Sequence, residues 1–331
     1  MATESRIYHD KDADLRYLKG KTIAVIGYGN QGRAQALNLR DSGLEALVGT
    51  LKDPSWAQAE QDGMAVLSIS EAASEGDILL LLIPDEVMPE AFTQEIVPQL
   101  KENKVIAFAS GYNIAFGLIK PPPFVDVILL APRMIGVGVR ELYLNGQGFP
   151  SFIAVEQDHS GQAREILLAL AKGIGSTKAG VIEVTFAQEA EIDLFTEQAV
   201  GPIMSAAIQT AIEVEIEAGY PPEAVLLELY MSGEMGIVFN QIVEKGFIRQ
   251  MELHSRTSQY GTMTRRPLFA TPELKTKMKD VLAKIRSGEF AREWTAEQQA
   301  GQPLFNELKR KALEHPLNAL EDKVRKELKG G

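Results

Sequence analysis

The sequence predicts an α/β fold in two parts: a Rossmann domain in residues 1–182 and an all-helical domain in residues 183–331. Three observations predict it. A glycine-rich turn joins an early apolar strand to a helix, short apolar strands alternate with helices to about residue 180, and only long helical segments follow. The first two of those segments, residues 187–200 and 203–218, are expected to be separated by Gly201-Pro202. A chain of 331 residues is long enough for two hydrophobic cores.

The glycine-rich turn has the setting of a nucleotide-binding fingerprint. Residues 22–26 form a short apolar strand, and Gly27-Tyr-Gly-Asn-Gln-Gly32 follows it at once. Residues 33–40 then have helical character, and residues 45–49 are a second apolar strand. In such a turn the first glycine permits the bend, the second admits a pyrophosphate, and the third lets the helix pack on the strand. The helix N-terminus offers its N–H groups to the phosphates. The predicted cofactor contacts are Gly27, Tyr28, Gly29, Asn30, Gln31 and Gly32.

The loop after the second strand bears on the choice between NADP(H) and NAD(H). An acidic residue that binds the ribose of NAD is expected at the end of this strand, and none stands there. Lys52 and Ser55 are candidates to bind the 2′-phosphate of NADP(H). Because Asp53 is acidic, NAD(H) remains an alternative cofactor. For each of these residues an ordinary solvated turn is the alternative.

Further apolar strands continue the alternation, and the loops after them contain candidate site residues. The predicted strands are residues 77–83, 104–109, 126–131 and 152–155. Ligands bind at the carboxyl ends of the strands in open α/β sheets, so Pro84, Ser110 and Arg133 begin loops on the cofactor side. Pro84 is therefore a predicted cofactor contact, as are Asp85 and Gly136 in these loops.

An acidic stretch follows the last strand. Glu189, Asp193 and Glu197 stand at i, i+4 and i+8, so a helix would place all three on one face. Like charges at this spacing destabilise an isolated helix by about 0.2–0.5 kcal/mol per pair. A divalent cation would offset that repulsion, because carboxylates are its preferred ligands. A solvated acidic face is the alternative.

The composition excludes several classes of protein. A net charge of −11 argues against nucleic acid or an anionic membrane as the main partner. The chain has no cysteine, which excludes disulfides and cysteine-bound zinc. No run approaches the roughly 18 apolar residues needed to cross a bilayer, and the N-terminus lacks the apolar segment of a secretory signal. We therefore expect a cytoplasmic protein.

Several longer strings carry a resemblance to one enzyme family. They are Gly27-Tyr-Gly-Asn-Gln-Gly32, Ala190-Glu-Ile-Asp-Leu-Phe-Thr-Glu-Gln-Ala-Val200, Glu217-Ala-Gly-Tyr220, Ser255-Arg-Thr-Ser-Gln-Tyr-Gly261 and Ser287-Gly-Glu-Phe-Ala-Arg-Glu-Trp294, with Gln299-Ala-Gly301 close behind. Over nearly its whole length the chain resembles ketol-acid reductoisomerase in its short (class I) form. The resemblance implies a Rossmann domain and a knotted, all-helical C-terminal domain that dimerises. It also makes Ser255 a contact of the substrate, for which a helix N-cap is the alternative.

The resemblance implies a reaction in two stages that uses two Mg²⁺ ions and NAD(P)H. An alkyl group shifts in a 2-aceto-2-hydroxy acid such as 2-acetolactate, and the resulting ketone is reduced to a 2,3-dihydroxy acid of branched-chain amino acid biosynthesis. Asp193 matches the aspartate that bridges both metals, and Glu197 matches a glutamate that binds one. The family motif gives Glu189 no metal contact, which leaves it as a supporting or solvated carboxylate.

The other two metal ligands are implied to come from a later helix of a second subunit. Glu228 and Glu234 match these positions, with Glu228 also a catalytic candidate and Glu234 also a substrate contact. The spacing here is i, i+6, where the family has i, i+4. A regular α-helix would put these side chains on different faces, so we expect a π-bulge or a break at Gly233.

The chain departs from the family pattern in two loops. Ser110 stands where the family has histidine, Arg133 where it has lysine, and Val137 where it has a second histidine. Met134 and Ile135 replace a glycine and a proline. Serine cannot relay protons near neutral pH as histidine does, and arginine keeps its proton where a lysine can release it. Ser110 and Arg133 are nonetheless the catalytic candidates in these loops.

Three hypotheses about function follow. The first is a divergent ketol-acid reductoisomerase whose alkyl shift depends mainly on the metal. The second is a metal- and NAD(P)H-dependent reductase of 2-keto acids without isomerase activity. The third is a cofactor-binding homologue that is not an enzyme. The sequence leaves open whether the chain forms a dimer or a dodecamer.

Overall fold

The computed structural model describes residues 5–328. The chain divides into two compact units, one ending at Ile192 and the other beginning at Asp193, which we call the Rossmann unit and the helical unit. The division falls inside a helix, later than the boundary that the sequence predicts after residue 182. The start of that helix belongs to the Rossmann unit because Phe186 packs into the core of its sheet.

A sheet with nine strands in the described residues forms the centre of the Rossmann unit. In chain order the strands are β1 Ile7–Tyr8, β2 Ile23–Ile26, β3 Ala46–Gly49, β4 Ala65–Leu67, β5 Ile78–Leu81, β6 Val105–Phe108, β7 Asp126–Pro132, β8 Ser151–Gln157 and β9 Val181–Glu183. They are arranged in the order β1-β9-β8-β7-β6-β5-β2-β3-β4. The strands from β4 across to β7 are all parallel, which is the order of a doubly wound fold that changes direction between β2 and β5.

The burial of the central strands explains the long apolar runs in the first half of the sequence. Every residue of β2, β5, β6 and β7 is buried, so these strands are apolar runs without alternation, except for Asp126 at the start of β7. The six predicted strands are confirmed, and β1, β4 and β9 are additional. These three have only two or three residues each, which is too short to show a period of two.

Helices cover both faces of the sheet. They are α1 Asn30–Asp41, α2 Pro54–Gln61, α3 Ile69–Glu75, α4 Met88–Ala91, α5 Tyr112–Ala115, α6 Gly136–Leu144, α7 Ala163–Gly173 and α8 Phe186–Phe195. One buried cluster joins α1 and α7 to the sheet through residues such as Leu39 and Leu167. A second cluster on the other face includes Ala72 of α3 and Phe92 just after α4.

In the helical unit the chain continues from α8 without the break that the sequence predicts at Gly201-Pro202. A π-turn, Thr196–Val200, follows α8 and leads directly into α9, Gly201–Glu217. The prediction of a break is wrong because the π-turn accommodates the proline. Gly201 N–H bonds to the carbonyl of Thr196, five residues back, and this wider turn removes the α-helical register in which a proline ring would clash.

The interruption expected at Gly233 is confirmed. The later helices are α10 Pro222–Leu226, α11 Glu234–Lys245, α12 Arg256–Phe269, α13 Pro272–Arg286, α14 Glu289–Gln299, α15 Pro303–Leu313 and α16 Pro316–Leu328. A π-turn, Leu227–Met231, follows α10, and Gly233 then adopts a left-handed φ of 80° before α11 begins. Glycine tolerates this φ without steric cost, so the helix restarts in a new register.

The helical unit has a small core and a large exposed apolar surface. Its buried cluster consists of Ile212, Val225, Leu226 and Val324. Around α11, by contrast, Val243 is 84% exposed and Phe247 is 70% exposed. Within residues 5–328, no helix combines the length and the apolar character that a membrane span requires.

Candidate active site

A cavity of about 670 Å³ opens in the Rossmann unit where the strand order changes direction. It is lined by residues 27–31 beyond β2, by Thr50 and Ser55 beyond β3, and by Pro84 and Val87 beyond β5. Dinucleotides bind at this point of a doubly wound sheet. The structure thus brings the glycine turn together with Ser55 and Pro84, three of the features that the sequence predicts for the cofactor.

The three glycines of the turn have three different surroundings. Gly27 has a left-handed φ of 98°, and a Cβ there would lie 2.7 Å from the carbonyl oxygen of Leu82. A Cβ on Gly32 would lie 2.1 Å from the carbonyl oxygen of Gly27, so α1 could not pack on the turn. Gly29 has an ordinary φ of −77°, and among residues 5–328, its chain neighbours apart, no heavy atom lies within 4 Å of its Cβ position. None of the described residues requires glycine at position 29, and open space at this position is what the close approach of a pyrophosphate would need.

The N-terminus of α1 faces the same cavity. Gly29 is its N-cap and supplies no side-chain hydrogen bond, so the first N–H groups of the helix are available to an anion. The side chain of Gln31 is used within the protein, since its Nε2 donates to the carbonyl of Met134 at 2.7 Å. Gly136 lines a neighbouring cleft of about 460 Å³. A Cβ there would lie 2.0 Å from the carbonyl oxygen of Asn30, so glycine lets α6 pack against the turn.

Hydrogen bonds join the residues of the loop after β3 to one another. Asp53 is the N-cap of α2, and its Oδ1 accepts hydrogen bonds from Ser55 N at 2.8 Å and Ser55 Oγ at 2.6 Å. The hydrogen bond from the Ser55 hydroxyl holds the pKa of Asp53 below its ordinary value. The Ser55 hydroxyl also lies 2.9 Å from Thr50 Oγ1. Lys52 does not line the cavity, and its Nζ stands 5.7 Å from the centre of the Trp56 ring.

The loop after β6 joins the loop after β5 through Asp85. Ser110 Oγ donates to Asp85 Oδ2 at 3.0 Å, and Asn113 Nδ2 donates to Asp85 Oδ1 at 3.0 Å. Ser110 Oγ also accepts from the backbone N–H of Tyr112. Burial raises the pKa of the Tyr112 phenol to about 12, so neither hydroxyl titrates near neutral pH. Asp85, a predicted cofactor contact, serves here to hold Ser110.

Arg133 forms an ion pair that the sequence did not predict. Its Nη2 lies 2.8 Å from Glu189 Oε1, and its guanidinium carbon lies 4.9 Å from the centre of the Phe152 ring. Glu189 is 1% exposed, and its Oε2 accepts the Gly111 N–H at 2.5 Å. The sequence gives no signal for this pairing, because nothing in the spacing links Glu189 to a strand end 56 residues earlier.

The three acidic residues around α8 do not share one environment. Glu189 is buried in the Rossmann unit, whereas Asp193 and Glu197 are exposed in the helical unit. Glu228, in the π-turn after α10, and Glu234, the first residue of α11, are also exposed. Within residues 5–328, no three acidic or histidine side chains of the single chain are close enough to hold a metal.

Ser255 is the N-cap of α12. Its hydroxyl oxygen accepts a hydrogen bond from Ser258 N at 3.2 Å, which is the alternative that the sequence leaves open for it. A capping hydroxyl still has its own proton to donate. The contact of Ser255 with a substrate therefore stays a prediction.

Comparison with known proteins decides the family. Residues 17–180 match the family model described as "Acetohydroxy acid isomeroreductase, NADPH-binding domain". Residues 186–329 match the one described as "Ketol-acid reductoisomerase, C-terminal domain". The chain belongs to the ketol-acid reductoisomerase family. Its two parts are the Rossmann-like and all-helical domains of these NAD(P)H-dependent oxidoreductases, so the predicted fold class and the resemblance are confirmed.

Individual family members are similar over the whole chain. The "Ketol-acid reductoisomerase (NADP(+))" proteins of Pyrobaculum calidifontis and Pyrobaculum aerophilum are each 46% identical over 329 residues, or 98% of this chain and 99% of theirs. A solved structure, the "NADH-preferring ketol-acid reductoisomerase from an uncultured archean", has a TM-score of 0.92 at 42% identity. It covers 97% of this chain and 98% of its own. These relatives carry both cofactor preferences in their names.

Proposed function

We propose that this member of the ketol-acid reductoisomerase family catalyses the complete reaction of the family. It would convert 2-acetolactate and related 2-aceto-2-hydroxy acids to 2,3-dihydroxy acids, with Mg²⁺ and NADPH, in branched-chain amino acid biosynthesis. The observation that carries the proposal is the retention of Asp193 and Glu197, both exposed, in a chain similar to the family over its whole length. A cytoplasmic location and the absence of nucleic-acid and membrane partners stay predictions from the sequence.

The residues present fit two Mg²⁺ ions in their chemistry. Asp193 and Glu197 would hold the metals, together with Glu228 and Glu234 of a second copy, since Mg²⁺ prefers carboxylate oxygens. Bound Mg²⁺ supplies a Lewis acid that polarises the substrate oxygens. No three ligands gather within the described part of one chain, which is the result expected if two copies complete the site.

The loops of the Rossmann unit would bind and orient the substrate without moving a proton. Arginine side chains are cationic in proteins, and Arg133 pairs with Glu189, so it would contribute a positive charge in a fixed place. Ser110 contributes a hydroxyl held by Asp85. In this proposal the Rossmann loops supply position and charge, and Ser255 supplies a hydroxyl to the substrate.

For the cofactor we propose NADP(H), bound across the glycine turn with its pyrophosphate at Gly29. Lys52 and Ser55 would bind the 2′-phosphate, and the names of the Pyrobaculum relatives support that choice. Asp53 is the residue that favours NAD(H), because it lines the cavity with its pKa lowered and so carries a negative charge. The ratio of the kcat/KM values for NADPH and NADH measures the cofactor preference.

A second copy of the chain would complete the enzyme. Val243, Phe247 and Ile248 are 84%, 70% and 69% exposed in the single chain, and apolar side chains clustered in this way mark an interaction surface. The same copy would bring Glu228 and Glu234. We therefore propose a homodimer or a larger homo-oligomer.

Two substrates separate the complete reaction from its alternative, a 2-keto acid reductase without isomerase activity. That alternative is favoured by one observation, the replacement of two family histidines and a lysine in the loops after β6 and β7. NADPH oxidation is measured with Mg²⁺ on 2-acetolactate and, separately, on the already rearranged 3-hydroxy-3-methyl-2-oxobutanoate. Turnover of both supports the proposal, and turnover of only the rearranged compound establishes the alternative.

A further inference from the structure

The side chain of Asp62 connects the glycine turn to the helix that follows β3. Asp62 is the C-cap of α2, and its Oδ2 accepts hydrogen bonds from the Tyr28 hydroxyl at 3.0 Å and Arg33 Nε at 2.6 Å. Its Oδ1 accepts from Arg33 Nη2 at 3.0 Å and from Gln58 Nε2 at 3.2 Å. The guanidinium thus pairs with both carboxylate oxygens, and such a bidentate pair fixes direction as well as distance.

The partners of Asp62 belong to the proposed pyrophosphate site. Tyr28 is 4% exposed and lines the cavity at the change of strand order, and Arg33 lies in the first turn of α1. Burial raises the pKa of the Tyr28 phenol, so its hydroxyl keeps the proton that it donates. The hydrogen bond from Arg33 holds the pKa of Asp62 below its ordinary value, so the carboxylate is charged near neutral pH.

The apolar attachment of α2 to the rest of the Rossmann unit is small. Of its residues Pro54–Gln61, Ala59 alone is buried, and Trp56 is only partly buried. Burying one alanine removes little apolar surface from water, so it stabilises the position of the helix weakly. The hydrogen bonds of Asp62 therefore carry much of the task of fixing α2 against the glycine turn.

The other end of α2 carries the residues proposed for the 2′-phosphate. Asp53 is the N-cap, and its Oδ1 accepts from both the backbone N and the hydroxyl of Ser55. Lys52 Nζ stands 5.7 Å from the centre of the Trp56 ring, which belongs to the same helix. A shift of α2 would therefore move all three candidate residues relative to the glycine turn.

We propose that Asp62 is a positioning residue that sets the preference for NADPH over NADH by holding the first turn of α2 in place against the glycine turn. The proposal rests on the proposed function, since it takes Lys52 and Ser55 to bind the 2′-phosphate. NADH has a hydroxyl in place of that phosphate, so its binding depends less on where these residues lie. Loss of Asp62 should therefore weaken the binding of NADPH more than that of NADH.

The first test is Asp62→Asn, with the Kd values of NADPH and NADH measured separately by calorimetry. The amide loses the charge and turns its NH₂ towards a donor that the carboxylate accepts. We expect the Kd for NADPH to rise about tenfold, the effect of losing one hydrogen bond to a charged group, and the Kd for NADH to change less. In turnover, the KM for NADPH should rise, and kcat at saturating NADPH should not change.

Glu183→Gln is the matched control. Glu183 also accepts from a tyrosine hydroxyl, that of Tyr8 at 2.9 Å, and pairs with an arginine, Arg164, at 2.8 Å. It lies in β9, near the edge of the sheet opposite to β3 and β4. We expect Glu183→Gln to lower the melting temperature as Asp62→Asn does and to leave both Kd values unchanged.

Variants of the same pair keep the test decisive if Asp62→Asn does not fold. Arg33→Lys keeps the positive charge but replaces the planar fork by a flexible point charge. We expect it to lower the preference for NADPH in the same direction by a smaller factor. Asp62→Glu retains the carboxylate and should recover part of the preference that Asp62→Asn loses. Arg33→Lys should add little in the Asp62→Asn background, because the two residues act together.

The outcomes distinguish this inference from the function on which it rests. If the wild type binds NADPH no better than NADH, the proposed choice of cofactor fails and the inference fails with it. If the wild type prefers NADPH and the Asp62 and Arg33 variants keep its ratio of Kd values, the inference alone is wrong. An equal rise of the Kd for both cofactors would also overturn it, since that pattern marks a general structural role.

Discussion

Ser110 and Arg133 are the two predicted catalytic residues whose side chains the structure places in defined contacts. Ser110 donates to Asp85, and its neighbour Tyr112 has its pKa raised to about 12, so the loop contains no group that titrates near neutral pH. Arg133 is paired with the buried Glu189, which holds its guanidinium in place. At the scale of single residues, we therefore expect these loops to contribute position and charge.

The double substitution Ser110→His/Arg133→Lys tests the contribution of these loops. It returns two titratable groups, so we expect the ratio of kcat on 2-acetolactate to kcat on 3-hydroxy-3-methyl-2-oxobutanoate to rise. The affinity for NADPH should stay the same, because neither residue lines the cofactor cavity. If the ratio does not change, Met134 and Ile135 are the next residues in these loops to test.

Asp193→Asn tests the metal assignment. The amide loses the negative charge that the bridging position needs, so we expect Mg²⁺-dependent turnover to be abolished and the Kd for NADPH to be nearly unchanged. Asp322→Asn is the control, because Asp322 is an exposed residue paired with Arg325 on α16. Activity that survives in Asp193→Asn would show that the metal binds elsewhere.

The contrast between Glu189 and Asp193 marks the limit of prediction for single residues. Their spacing correctly suggested a helix, and the metal role of Asp193 stays a prediction. The burial of Glu189 could not be predicted, because it depends on Arg133 and Gly111, which are distant in the chain. Spacing along a helix reports which residues share a face and says nothing about which other element covers that face.

At the scale of elements, the glycine turn gives the clearest test of cofactor binding. Gly29→Ala adds a methyl group where, apart from its chain neighbours, no atom of the described residues lies within 4 Å, so the melting temperature should not fall. The methyl group would occupy the space proposed for the pyrophosphate, and we expect the Kd for NADPH to rise about tenfold, equivalent to about 1.4 kcal/mol. Unchanged affinity in Gly29→Ala would place the pyrophosphate elsewhere.

Gly32→Ala is the comparison for that experiment. Its Cβ would lie 2.1 Å from the carbonyl oxygen of Gly27, so the substitution should lower the free energy of unfolding. Overpacking of this kind destabilises by about 1–3 kcal/mol, and a lower melting temperature should report it.

The π-turns explain why one predicted helix break was right and another was wrong. Gly233 has a left-handed φ, a local property for which glycine itself is the signal. At Gly201-Pro202, the backbone absorbs the proline through the π-turn Thr196–Val200, which has no comparable residue signal. The strands differ in the same way in how well the sequence predicts them. The longer buried strands were predictable, and the strands of two or three residues were not.

At the scale of the whole molecule, the exposed apolar surface around α11 predicts self-association. Light scattering after size exclusion should give a dimer or a larger species. Val243→Asp should shift it to smaller species, because a charge at a residue that is 84% exposed costs a single chain little and an interface much. Turnover should fall in parallel if a second copy supplies Glu228 and Glu234. Glu244→Gln, at the next residue, is the control, and an unchanged mass for Val243→Asp would exclude this surface as the interface.

The identity of the product from 2-acetolactate tests the central claim, that this chain joins the alkyl shift to the reduction. The enzyme is incubated with 2-acetolactate, Mg²⁺ and NADPH, and the carbon skeleton of the product is read by ¹³C NMR. We predict 2,3-dihydroxy-3-methylbutanoate, in which the methyl group has migrated before reduction. The unrearranged 2,3-dihydroxy-2-methylbutanoate, or no consumption of 2-acetolactate, would contradict the claim.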